Sequence, residues 1–79
     1  MPLFYFDVYD NGQANVDEVG TELPDIHAAR TEAVATLTSI ADDRLPDDGP
    51  ERDIAIDVRD ADGKRIMRVS IHFEIQQAL

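Results

Sequence analysis

Apolar residues recur at every second position along three segments of the chain, 3–9, 53–59 and 65–75. Alternation with a period of two is typical of β-strands that bury one face, and the aromatic and β-branched residues of these segments favour the same conformation. The residues predicted to face inward are Phe4, Phe6, Val8, Ile54, Ile56, Val58, Met67, Val69, Ile71, Phe73 and Ile75. The pattern therefore predicts three strands that share a buried face.

Turn residues indicate how these strands are connected. Asn11-Gly12 follows the first segment and is a strong hairpin signal, because both residues tolerate positive φ. The return strand is weak: the chain must pair back somewhere within 13–23, and the best position is 19–23, with Gly20 as a candidate bulge. The segment 60–63 ends in Asp-Gly and predicts a second hairpin between the last two strands.

A single helix is predicted between the two hairpins. Pro24 stops the preceding strand, and the carboxylate of Asp25 is a suitable N-cap for the first helical turn. Apolar residues recur at intervals of three and four over 26–44, and Leu45-Pro46 then ends the helix in a turn-rich stretch. The predicted apolar stripe consists of Ile26, Ala29, Ala33, Leu37, Ile40 and Ala41.

These elements predict one α+β domain over residues 1–79, because a chain of this length has no material for a second core. The order is ββαββ, a four-stranded and mostly antiparallel sheet with one helix packed on one face. The other face of the sheet is left uncovered. We expect it to carry Leu3, Tyr5, Tyr9, Ile66 and His72.

The charge balance disfavours several classes of function. The chain has 17 acidic and 7 basic residues, a net charge of −10, and such a field repels nucleic-acid phosphates. It has no cysteine, which excludes disulfides and thiolate metal sites. It shows neither a secretion signal nor an apolar run near the roughly 20 residues of a membrane helix. We expect a cytoplasmic protein that binds no nucleic acid and no membrane.

Candidate catalytic and metal sites are weak in this sequence. Ser70 and His72 would stand together on one strand face, where a polar strand surface explains them better than a catalytic triad. His27 is far from His72 in the sequence, so the spacing of a zinc site is missing. The acids around the first turn approach a calcium loop, but Tyr9 occupies a ligand position. We therefore predict no catalytic residue, no metal and no cofactor.

Several stretches together resemble a small bacterial family of uncharacterised domains. They are Phe4-Tyr5-Phe6-Asp7, the run from Asp17 to Asp25 that contains Glu-Leu-Pro-Asp, Ala28 to Ala33, Val58-Arg59-Asp60 and Asp62-Gly63. The resemblance spans nearly the whole chain. It implies the same layout of strands and helix, and it assigns no functional residue.

The leading hypothesis is a non-catalytic protein-interaction module that self-associates through its open sheet face, at Leu3, Tyr5, Tyr9, Ile66 and His72. The expected partner is a second copy or another protein, for which a basic surface would suit the acidic chain. The alternative is a small ligand-binding protein or enzyme with a site on the same face. A third hypothesis is an acidic mimic of nucleic acid that binds a basic protein.

Overall fold

The computed structural model describes residues 1–45 and 49–78. It contains five strands and one helix: β1 (Leu3–Asp10), β2 (Gln13–Asn15), β3 (Thr21–Glu22), α1 (Ile26–Arg44), β4 (Glu51–Arg59) and β5 (Arg65–Glu74). Residues 46–48, in the predicted turn after the helix, lie outside the described residues. In the described parts of the chain, no helix has the length and apolar character needed to cross a membrane.

The strands form one antiparallel sheet in the order β2-β1-β4-β5. Strand β3 also pairs with β1, beyond the end of β2, so β2 and β3 together occupy the outer edge of β1. Strand β4 is central, which explains why its residues 54–58 are all buried. The α+β class and the mostly antiparallel sheet with one helix are confirmed.

The first hairpin has the predicted turn but a divided return strand. Asn11 and Gly12 have φ values of 50° and 90°, the left-handed conformations that a tight hairpin requires. The chain pairs back immediately as β2, leaves the sheet over 16–20, and pairs again as β3. Both pairing segments lie within the predicted range 13–23, but the preferred position at 19–23 is wrong in extent, because only two of its residues pair with β1.

The helix begins where the sequence predicts. The Asp25 carboxylate accepts a hydrogen bond of 2.8 Å from the amide of Ala28 and so satisfies one of the free donors of the first turn. Four members of the predicted stripe are buried, namely Ala29, Ala33, Leu37 and Ala41. Ile26 is 53% exposed, so its assignment to the stripe is wrong. It occupies the first position of the helix.

The core lies between α1 and the central strand. Ile54, Ile56 and Val58 of β4 are fully buried against the small side chains of the helix. The inward residues of β5 are only half-buried, and Ile75, predicted to face inward, is 44% exposed beyond the end of the strand. The helix therefore leaves the outer strand incompletely covered.

A β-bulge changes one predicted position in β5. Val58 pairs with Met67 and Arg59 pairs with Arg65, so Ile66 is the extra residue on its strand. Ile66 is half-buried and packs against the core cluster. The expectation that it extends the open face is wrong, because the bulge breaks the alternation from which that expectation came.

A buried ion pair joins the sheet to the end of the helix. Asp10 accepts two hydrogen bonds from Arg52, at 2.8 and 2.9 Å, and both residues are buried. Arg44, in the last helical turn, adds a third contact at 2.7 Å. The Arg52 hydrogen bonds hold the pKa of Asp10 below its usual range. Asp10 thus closes the core at the end where the first hairpin turns.

Leu37→Ala is expected to lower the free energy of unfolding by about 2–5 kcal/mol, because it leaves a cavity beneath β4. Ile26→Ala removes a similar apolar group from an exposed site on the same helix and is expected to change stability by less than about 0.5 kcal/mol. Urea unfolding of the two variants measures the difference. Equal losses of stability in the two variants would show that the helix presents a different face to the sheet.

Candidate interaction face

The open face is the side of the sheet away from α1, and its centre consists of two opposed carboxylates. Asp7 of β1 lies directly opposite Asp57 of β4, and both are 4% exposed. Each is bound by its own arginine fork: Arg59 reaches Asp7 at 2.6 and 3.1 Å, and Arg68 reaches Asp57 at 2.5 and 3.0 Å. Arg65 adds a contact of 3.3 Å to Asp57. The bidentate pairs neutralise a repulsion that facing carboxylates would otherwise produce.

The same pairing decides what these acids can do chemically. The hydrogen bonds from Arg59 hold the pKa of Asp7 below its usual range, and those from Arg68 do the same for Asp57. A carboxylate that is ionised and occupied by a guanidinium is a poor proton acceptor at neutral pH. The geometry therefore assigns both acids a structural role.

Each arginine of these pairs also covers a tyrosine. The Arg59 guanidinium lies 4.8 Å from the centre of the Tyr5 ring, and that of Arg68 lies 5.3 Å from the centre of the Tyr9 ring. Both distances are within the range of cation–π interactions. These interactions hold each tyrosine ring against its guanidinium. The predicted half-apolar surface is thus a layer of stacked arginine and tyrosine.

Asp17 joins the segment 16–20 to β1 through both its backbone and its side chain. Its amide donates a hydrogen bond of 2.9 Å to the Asp7 carboxylate. Asp17 accepts hydrogen bonds of 3.0 Å from the amides of Phe6, Val19 and Gly20. Burial opposes its ionisation, but these amide donors together hold the pKa of Asp17 below its usual value. Because Phe6 lies between the residues of β1 that pair with β2 and β3, Asp17 completes this edge of the sheet.

Gly20 brings the same segment against the open face. Its φ is 79°, and a Cβ built on it would lie 3.0 Å from the Tyr5 side chain and 3.1 Å from Leu3. Arg59 donates a hydrogen bond of 2.9 Å to the carbonyl of Asp17 and so ties the segment to the arginine layer. Leu3 and Tyr5 are therefore partly covered by their own chain.

Charges on the open face are divided between its two ends. The end near the β4–β5 turn carries exposed or half-exposed cations, while the carboxylates beneath them are buried. The opposite end, where β4 begins and β5 ends, carries exposed acids. The cations are Arg59, Lys64, Arg65 and Arg68, and the acids are Glu51, Asp53 and Glu74. The accessible cations of the face thus lie near the β4–β5 turn, where Asp62 is also exposed, and the accessible acids of β4 and β5 lie at the opposite end.

His72 lies at the acidic end in a set of surface hydrogen bonds. Its Nδ1 is 2.6 Å from the carboxylate of Asp53, and this contact raises the pKa of His72 above its usual value. Ligand atoms of Glu51, His72 and Glu74 lie within 4.8 Å of one another. All three side chains are exposed, and Glu74 also accepts a hydrogen bond from Gln76. We assign no metal ion to this cluster.

A shallow depression of about 320 Å³ lies between His72 and the arginine layer. Ala55 and Ser70 are opposite each other on β4 and β5, and their small side chains leave this space open. Tyr9 and Arg68 line it on one side and His72 on the other. The hydroxyl of Ser70 and the ring of His72 therefore share one small concave site.

Comparison with known protein families identifies the chain. The family DUF6894, a domain of unknown function, matches residues 3–72. The chain belongs to the DUF6894 family. No curated protein and no solved structure matches it. The resemblance to a small uncharacterised family is confirmed, and the family assigns no activity to the chain.

The residues proposed from the sequence as a partner surface are spread across this DUF6894 domain. Leu3 and Tyr5 lie beneath the 16–20 segment, Tyr9 lies at the centre, and His72 lies at the acidic end. Tyr9 and His72 meet at the depression, whereas Ile66 belongs to the core. Only part of the expected set therefore forms one surface.

The arginine–aspartate pairs were not predicted, although the sequence carries a signal for some of them. Alternation places Asp7, Asp57, Arg59 and Arg68 on the open face, where strand pairing can bring opposite charges together. Nothing in the sequence identifies Asp17 as the residue that caps a β1 amide. That contact joins residues eleven positions apart across an irregular segment.

Gly20→Ala is expected to destabilise the domain by about 1–3 kcal/mol, because the new methyl group meets Leu3 and Tyr5 in an already tight contact. Gly63→Ala is the matched control: its φ is 83°, but a Cβ there meets nothing within 4 Å. The control carries the cost of the left-handed conformation alone. Thermal or urea unfolding that ranks Gly63→Ala as the more damaging change would contradict the packing of 16–20.

The free energy of unfolding is expected to fall as the pH is lowered through about 4. The pKa values of Asp7, Asp10, Asp17 and Asp57 are lowered from 3.8, so their stabilisation is complete above 3.8 and is lost as the pH falls toward the folded values. Urea unfolding between about pH 6 and pH 3, in moderate salt to screen the net charge, measures this loss. In Asp57→Asn, the free energy of unfolding should fall less over this pH range than in the unmutated protein, because one of the titrating carboxylates is absent. Constant stability across this range would contradict the pairing described.

Proposed function

We propose that the domain is a non-catalytic protein-interaction module that binds through its open sheet face, with a second copy of the chain as the simplest partner. The observation that supports this most is the layer of Arg59, Arg68, Tyr5 and Tyr9, which the buried aspartates hold in one arrangement. Arginine and tyrosine are enriched at protein interfaces and at their energetic centres. Side chains that are already ordered lose less entropy on binding.

The charge distribution supports self-association over other partners. One end of the open face carries accessible cations and the other accessible acids. Two copies related by a two-fold axis can place the cationic end of each against the acidic end of the other. A basic partner protein would meet the acidic end alone. We further propose that binding takes place in a bacterial cytoplasm, since a small domain without cysteine fits a reducing compartment.

The depression between Tyr9 and His72 supports a second candidate function, the binding of a small polar ligand. It offers the Ser70 hydroxyl, the His72 ring and the edge of the Arg68 guanidinium in one concave site. Such convergence of polar groups in a cleft is the usual form of a ligand site. Titration of a small-molecule panel, followed by amide chemical shifts, tests it. Shifts confined to these residues would favour this function over a protein partner.

Tyr9→Glu is expected to weaken self-association about tenfold or more while the domain remains folded. The substitution places an acid in the centre of the face, and Tyr9 is only half-buried. Ala35→Glu is the matched control, because it adds the same charge at an exposed site on the helix. Sedimentation velocity over a concentration series measures both variants.

An unmodified protein that stays monomeric at several hundred micromolar would contradict self-association through this face. So would an equal loss of dimer in both variants, because that result would reflect the added charge and not its position.

A further inference from the structure

Strand β5 forms one edge of the sheet, and we propose that two copies of the chain join by antiparallel pairing of their β5 strands. In the proposed register, Ile71 lies opposite Ile71 of the second copy. This goes beyond the proposed function, because the β5 edge is a different surface from the open face. The two surfaces can be tested separately.

The hydrogen bonds of the sheet identify which backbone groups of β5 are directed outward. Ile75 donates a hydrogen bond of 2.6 Å to the carbonyl of Pro50, across the β4 side. Backbone groups of successive residues point to opposite sides of a strand, so the odd-numbered residues of β5 between Met67 and Phe73 bond to β4. The amides and carbonyls directed to the outer edge belong to Arg68, Ser70, His72 and Glu74. Among the described residues, no strand pairs with that edge.

The other edge of the sheet is closed, so the two edges are not equivalent. Strands β2 and β3 are three and two residues long, and the Asp17 carboxylate occupies the amide of Phe6 between them. Short, interrupted edges resist pairing with another chain. Strand β5 offers ten residues without such a cap in the described part of the chain. It is the edge suited to adding a strand.

Among the registers centred on Ser70, Ile71 and His72, which use most of β5, charge complementarity selects one for a second copy. With Ile71 at the two-fold axis, Arg68 lies opposite Glu74 of the second copy, and Ser70 lies opposite His72 of the second copy. Arg68 binds Asp57 through Nε and Nη2, which leaves Nη1 for a second carboxylate. Centring the pair on Ser70 would oppose Arg68 to His72, and centring it on His72 would oppose two histidines. Opposite charges on facing strands stabilise a sheet and like charges destabilise it.

The same register matches apolar residues on the helix side of the sheet. It pairs Val69 with Phe73 of the second copy and Met67 with Ile75 of the second copy, beside the central Ile71. These β5 residues are only half-buried in one copy, and Ile75 is 44% exposed. Pairing would therefore cover apolar surface that α1 leaves accessible. Charged side chains on an edge strand often prevent association, but here the two signs face each other.

Single cysteines test the register directly, because the chain has none of its own. Ile71 would form a non-hydrogen-bonded pair with its counterpart, with Cα atoms about 4.5 Å apart, which is within disulfide range. We expect Ile71→Cys to give a covalent dimer on mild oxidation. Val69→Cys is the matched control on the same face, because its counterpart would lie four residues away. Equal cross-linking of the two variants, or cross-linking at Val69 alone, would overturn the register.

A proline at the edge tests the pairing in the absence of a cross-link. Ser70→Pro removes an amide directed outward and leaves the β4–β5 hydrogen bonds in place, and proline is tolerated on edge strands. Ser70→Ala keeps the amide and is the control. We expect the dimer dissociation constant to rise at least tenfold for Ser70→Pro and to stay unchanged for Ser70→Ala. If the dimer persists unchanged in both variants, the proposal is overturned.

Comparison with Tyr9→Glu separates the two surfaces. A dimer that is lost in Ser70→Pro and kept in Tyr9→Glu supports the edge and rejects the open face as the self-association surface. The reverse result rejects the edge. A monomeric unmodified protein at several hundred micromolar overturns the edge proposal.

Discussion

The arrangement of the open face depends on the two carboxylates that face each other across β1 and β4. Asp7 and Asp57 are buried and directly opposed, which is unfavourable unless each is neutralised separately. The strands therefore hold Arg59 and Arg68 above them in bidentate pairs. These forks place the guanidiniums over the tyrosines, and Arg59 also donates a hydrogen bond to the carbonyl of Asp17. One electrostatic constraint thus organises the centre of the face and the segment that folds onto it.

Because of these ion pairs, the accessible charge at the centre of the open face differs in sign from the net charge of the chain. The chain is strongly acidic, yet the acids at the centre of the face are buried beneath their arginines, and the accessible groups there are cationic. Exposed acids remain at the other end of β4 and β5. In the proposed dimer, the accessible cations near one end of each copy would face the accessible acids of the other copy.

The two edges of the sheet have different structural roles. On one side, β2, β3 and the Asp17 carboxylate use the outward groups of β1 within the chain. On the other side, β5 is long, half-covered by the helix and without a strand partner among the described residues. This asymmetry limits sheet extension to one direction, as a closed dimer requires. Pairing through β5 would also join two open faces into one surface.

The sequence by itself determined the helix, the three long strands and the two hairpin turns, but not the division of the return strand into β2 and β3. Turns, caps and the recurrence of apolar residues reflect steric and hydrogen-bonding preferences of neighbouring residues. The hairpin turns, the Asp25 cap and the buried residues of β4 follow from such local rules. Only the tertiary structure decided the partners of the charged residues, the bulge at Ile66 and the role of Asp17. These depend on register and strand order, and contacts between segments far apart in the chain fix both. The local sequence pattern determines on which face of a strand a charged residue lies, whereas the pairing of the strands determines which residue lies opposite it.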